Sequence, residues 1–98
     1  MMNKSHVFFL INKNTKLQDL KDFFDLNYDN NCIIQFETDY DYDHVFLKEI
    51  QNNNSTHKKS IVLISKILTL DNFNNITPTL QEALDIIEIE EIERSLNI

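Results

Sequence analysis

Three short apolar runs, separated by stretches whose apolar residues recur at helical spacing, organise this chain. Val7-Phe8-Phe9-Leu10-Ile11 is continuously apolar and predicts a strand covered on both faces. Asn14 or Thr15 can cap a helix running through about Asn27. Along it Leu17, Leu20, Phe23, Phe24 and Leu26 fall mostly on one face, with Lys16, Asp19, Lys21, Asp22 and Asp25 opposite. Cys32-Ile33-Ile34-Gln35-Phe36 predicts a second strand. An acidic-aromatic stretch from Glu37 to Asp43 then leads into a short helix from about Asp43 to Asn52, with Phe46, Leu47 and Ile50 inward. Asn52 to Lys59 reads as a polar loop, expected to be the most mobile part of the chain. Ser60-Ile61-Val62-Leu63-Ile64 is the third predicted strand. Ile67 to Phe73 reads as a connection holding at most a short turn, and Ile76 as a brief edge strand.

The last helix has the clearest start signal. Pro78, the one proline, has no N–H to leave unpaired and keeps the approach extended. Thr79 and Glu82 have capping-box spacing, the hydroxyl accepting from the Glu82 amide and the carboxylate from the Thr79 amide. Two apolar stripes follow. Leu80, Ala83, Leu84 and Ile87 form one; Ile86, Ile89, Ile92 and Leu96 form another, roughly opposite it. A helix with two apolar faces buries one in its own core. The late face either folds back on the same domain or packs on a partner or a second copy. Short apolar strands alternating with amphipathic helices give a single α/β domain over residues 1–98, a parallel or mixed sheet of three or four strands packed with about three helices.

Composition narrows the function classes. Nine basic against sixteen acidic side chains leave a net charge of −7 with no Lys/Arg cluster, which repels a nucleic-acid backbone. No apolar run approaches the roughly 20 residues that span a bilayer, and Val7–Ile11 is too short for the apolar core of a signal peptide. Cys32 stands alone, so no internal disulfide forms, which suits a reducing, cytoplasmic setting. The chain has no glycine. Left-handed turn positions fall to Asn and Asp, at Asn30-Asn31, Asn52-Asn53-Asn54 and Asn74-Asn75, and Gly-rich phosphate cradles are excluded.

No catalytic or cofactor-binding set can be assembled. Asp39, Asp41 and Asp43 have the opening spacing of a calcium loop. His44 then stands where its glycine belongs and Ile50 where its bidentate Glu belongs, so a solvated, helix-capping loop is expected instead. His6, His44, His57 and Cys32 lack zinc-ligand spacing, and His6 and Cys32 read as buried strand residues, which argues against a Cys/His nucleophile as well. Glu88, Glu90, Glu91 and Glu93 read as a solvated helix face.

The order of elements and the C-terminal run Ile76-Thr77-Pro78-Thr79-Leu80-Gln81-Glu82-Ala83-Leu84-Asp85, continued by Glu90-Glu91-Ile92-Glu93-Arg94, resemble a short, divergent STAS domain. That is the module of anti-sigma factor antagonists and sulfate-transporter tails. The tail in particular is similar to small bacterial STAS-like proteins encoded beside ribonuclease Z. The resemblance implies a fold of that type and a protein partner bound at the start of the second helix. The family's Asp-Ser-Ser-Gly-Leu motif would fall on Asp43-His44-Val45-Phe46-Leu47, where only Asp43 and Leu47 agree. With no hydroxyl at the phosphoacceptor position, the resemblance implies binding without the serine phosphorylation switch. The expectation is a non-enzymatic regulatory interaction module, without cofactor or metal, contacting a kinase-like anti-sigma factor or an RNA-processing nuclease. Self-association through the last helix is the other outcome. Tyr40, Tyr42, Asp43 and His44 around the second helix, and Ile86, Ile89 and Ile92 on the last, are the expected contact residues, although Tyr40 and Tyr42 can equally cover the sheet edge.

Overall fold

The structure, a computed structural model, describes residues 6–37, 44–68, 70, 73 and 75–96. The elements are β1 (His6–Ile11), α1 (Leu17–Leu26), β2 (Asn31–Phe36), α2 (His44–Asn54), β3 (Ile61–Ile64), β4 (Ile76–Thr77) and α3 (Leu80–Leu96). The four strands form one sheet in the order β1-β2-β3-β4, and of the parallel and mixed arrangements left open by the alternating pattern it is the parallel one. Strand order follows chain order, so right-handed crossovers step in one direction and place α1 and α2 on the same face. There Leu20 and Phe24 of α1 and Phe46, Leu47 and Ile50 of α2 pack on Cys32, Ile34, Phe36, Ile61 and Leu63. The opposite face carries α3, whose Ala83 and Ile87 close over Ile33, Val62 and Ile64. Each fully buried aliphatic side chain here contributes about 1.5–3 kcal/mol through removal from water.

Position in the sheet decides how each apolar run is used. All four residues of β3 are buried, and all of β2 except Gln35. β1 differs from the expectation of cover on both faces. It is an edge strand, with Ile11 buried and Val7 and Phe9 packed toward α1, while Phe8 and Leu10 are 46% and 43% exposed. Phe8 lies beside Ile33 and Leu10 beside Gln35, so both side chains are on α3's side of the sheet. The main contacts of α3 are with β3 and β4, and Phe8 and Leu10 of β1 are left exposed. His6, expected to be buried, is exposed at the start of β1.

Helix ends depart from the predicted caps in detail. α1 begins at Leu17, not directly behind Asn14 or Thr15. Thr15 instead closes a turn with Asn12, its hydroxyl accepting from the Asn12 amide at 3.0 Å. The Asp19 carboxylate accepts from the Lys16 amide at 2.9 Å and caps the helix from within. Leu26 is 82% exposed, because at about 100° per residue it falls between Asp19 and Asp22 and not with Leu20 and Phe24. Asn27 does not adopt a left-handed conformation there (φ −120°); its side-chain amide donates to the Phe23 carbonyl at 2.8 Å. α2 continues to Asn54, past its expected end.

The following loop meets the body of the domain through His57. The His57 ring stacks edge-on against Phe24 at 6.2 Å, and its Nε2 lies 2.8 Å from the Asn30 carbonyl. The connection from β3 to β4 holds an isolated bridge between Leu70 and Phe73 and no helix among its described residues. β4 is the brief edge strand expected around Ile76.

Candidate interaction surface

α3 is held at both ends. At its start the Thr79 hydroxyl accepts from the Glu82 amide at 3.1 Å, the first half of the predicted capping box. Ala83 and Ile87, both 0% exposed, set its rotation against the sheet. Three residues after Ile87, from Glu90 on, the contacts become polar, because α3 has reached the amino-terminal ends of β2, β3 and β4.

Arg94 is the centre of that polar region. Its Nη2 donates to Asn31 Oδ1 and its Nη1 to Ser60 Oγ, both at 3.1 Å, and its Nε donates to Glu91 Oε1 at 3.0 Å. Asn31, 1% exposed, also accepts from the Ser60 amide at 3.0 Å. Ser60 Oγ donates to Glu90 Oε1 by a short hydrogen bond, and Asn75 Nδ2 donates to Glu90 Oε2 at 3.1 Å. Lys59 Nζ lies 3.4 Å from Glu91 Oε1. Glu90 and Glu91, expected in a solvated charge run, are therefore turned inward. The Arg94 hydrogen bond is the main cause holding the Glu91 carboxyl below its usual range. The charges of Arg94 and Lys59 and a Lys59 hydrogen bond act the same way, while partial burial opposes them. These contacts join α3 to the starts of three strands, through Asn31 of β2, Ser60 before β3 and Asn75 before β4.

With the inner side so fixed, the late apolar stripe faces out. At about 100° per residue, Ile89, Ile92 and Leu96 fall within about 60° of one another and far from Ile87. They are 56%, 46% and 78% exposed. Ile86, expected with them, is half-buried against the Ile33, Val62 and Ile64 cluster, so it joins the core and leaves the outward stripe. Leu80, expected in the inner stripe, is 48% exposed. Exposed Glu82, Asp85 and Glu93 border the stripe. Tyr40, Tyr42 and Asp43 lie outside the described residues, as does the rest of the Asp39-Asp41-Asp43 pattern. His44 is the exposed first residue of α2, followed by Val45 at 51% exposure.

Two other arrangements have chemical content. The fold brings Cys32 and His57 together, Sγ to Nε2 3.6 Å, across 25 residues of sequence. A carbonyl only accepts, so Nε2 carries its hydrogen toward Asn30 and is not available as a base to the thiol. Burial pushes the Cys32 thiol up to about 12, the opposite of an activated nucleophile. The pair is a packing contact. At the carboxyl ends of β3 and β4, where open parallel sheets commonly hold ligands, Ser65, Lys66, Leu68, Leu70, Phe73, Ile76 and Pro78 line an open pocket of about 420 Å³. Its lining is mainly apolar, and the Ser65 hydroxyl accepts from the Ile67 and Leu68 amides, holding the turn that forms the wall. Among the described residues no three His, Cys, Asp or Glu side chains converge on a point that could hold a metal ion, and no helix is long and apolar enough to cross a membrane.

Comparison of the chain with protein-family models, with characterised proteins and with solved structures finds no match.

Proposed function

We propose that this protein is a non-enzymatic protein-interaction module that docks a partner through the outward stripe of α3. The observation that carries the reading is that α3 is locked to the sheet by Ala83, Ile87 and the Arg94 contacts, yet holds Ile89, Ile92 and Leu96 in solvent. Single exposed aliphatic residues are ordinary, but three in register on one rigid helix form a contiguous apolar surface of the kind that marks an interaction site. The similarity of the tail to STAS-like proteins supports a regulatory role in the cytoplasm. It favours a kinase-like anti-sigma factor or an RNA-processing nuclease as partner. His44 at the phosphoacceptor position argues against a phosphorylation switch.

The test is a photo-crosslinking amino acid placed at Ile89 of the full chain in its native cells, with the exposed Asp22 of α1, across the sheet from α3, as control position. One discrete crosslinked product from position 89, absent from position 22 and lost on Ile92→Gln, is the expected result. Crosslinks no more specific than those from position 22 would overturn the reading. A second reading places the contact at the start of α2, where His44 and Val45 are exposed. A probe at Val45 separates the two, and the mass of the crosslinked protein distinguishes an ATPase from a nuclease.

A further inference from the structure

We infer that the occupant of the α3 stripe is a partner helix with an apolar face bordered by Lys and Arg; this rests on the reading of α3 as the docking surface. The shape of the stripe selects a helix. Ile89, Ile92 and Leu96 follow i, i+3, i+7 spacing, whose ridges and grooves match those of a second helix. A strand would gain little there, because the backbone N–H and C=O groups of α3 are already paired within the helix.

Charge then selects the kind of helix. Around the stripe, Glu82, Asp85 and Glu93 are exposed, and the one cation of α3, Arg94, is directed inward to Asn31, Ser60 and Glu91. Glu93 stands exposed in the last turn of α3, where the helix dipole favours cations, so the potential beside the stripe is more negative than its formal charge alone implies. A partner with a basic border relieves this, and opposite charges across a rim raise the association rate and set specificity.

The other occupants fit less well. A second copy would set the same acidic borders against each other in a chain of net charge −7. An anionic lipid surface repels the same acidic border.

The experiment displays a library of helical peptides of about 20 residues, with Leu fixed along one stripe and the bordering positions varied among Lys, Arg, Glu, Gln and Ser. The library is selected on the intact protein. Enrichment of Lys and Arg is expected. Affinity of an enriched peptide should fall about tenfold on Ile92→Gln, and should also fall on Glu93→Lys and between about 50 and 300 mM salt. Ile92 is on the surface, so unchanged thermal melting of Ile92→Gln confirms that the fold is intact. Enrichment of neutral or acidic borders, with binding still dependent on Ile92, would overturn the basic helix and leave α3 as the docking surface. So would a concentration-dependent dimer dissolved by Ile92→Gln, or Ile92-dependent binding to vesicles of mixed neutral and anionic phospholipid. If no selected peptide depends on Ile92 and the crosslinks from position 89 are unspecific, the docking surface falls with it.

Discussion

Arg94 reaches back 63 residues to Asn31, and that contact joins the last helix to the middle of the sheet. Glu91 completes it and gives the protein an acid response. Its carboxyl is held below the usual range in the folded chain, first by the Arg94 hydrogen bond, and returns to an ordinary value on unfolding. A depressed carboxyl adds stability that is present above the unfolded value and lost as pH falls through the folded one. Glu91→Gln should therefore lower the urea midpoint at pH 7, with the gap to the parent chain narrowing from about pH 4 downward. A gap that persists undiminished in acid would show that Glu91 acts by shape rather than charge. None of this is legible in the sequence. Asn31 reads as a turn residue and Glu91 as one of four solvated acids, because a pairing between distant residues leaves no local spacing.

For α3 the sequence pattern shows two stripes but not whether the late one is covered by its own domain. Both Ile87 and Ile92 are isoleucines on one helix, and only packing separates them. Ile87 is closed over by Ile33, Val62 and Ile64, so Ile87→Ala should cost about 2–5 kcal/mol in chemical denaturation. Ile92 is 46% exposed, and Ile92→Ala should change stability by no more than about 0.5 kcal/mol. Comparable losses at both positions would mean that the outward stripe is buried in solution. The start of the helix was readable, since Pro78, Thr79 and Glu82 act within one turn. So was the inward set Phe46, Leu47 and Ile50 of α2. Leu26 shows the limit of the same reasoning. Its apolar type groups it with the α1 core, but its helical angle puts it between Asp19 and Asp22, and the side chain lies in solvent.

Across the whole molecule, the sheet has two central strands and two edges, and stability should follow that order. Amide hydrogen exchange is expected to be slowest in β2 and β3, which are paired on both sides and buried, and faster in β1 and β4, each of which has a single neighbour. Protection in β1 equal to that in β2 would place a further strand or partner along its free edge. By itself the sequence determined the three main strands, the three helices, the α/β class, the acidic charge and the loss of Gly-dependent phosphate sites. These follow from residue type and from periods of two and 3.6, which are local properties of the chain. Tertiary structure decided which apolar faces are covered. Phe8 and Leu10 are exposed because β1 is an edge, Ile86 turns inward because α3 packs on β3 and β4, and Ile89, Ile92 and Leu96 stay outside because Ile87 and Arg94 fix the helix's rotation. Coverage depends on neighbours brought together from distant parts of the chain, and hydrophobicity alone does not specify them.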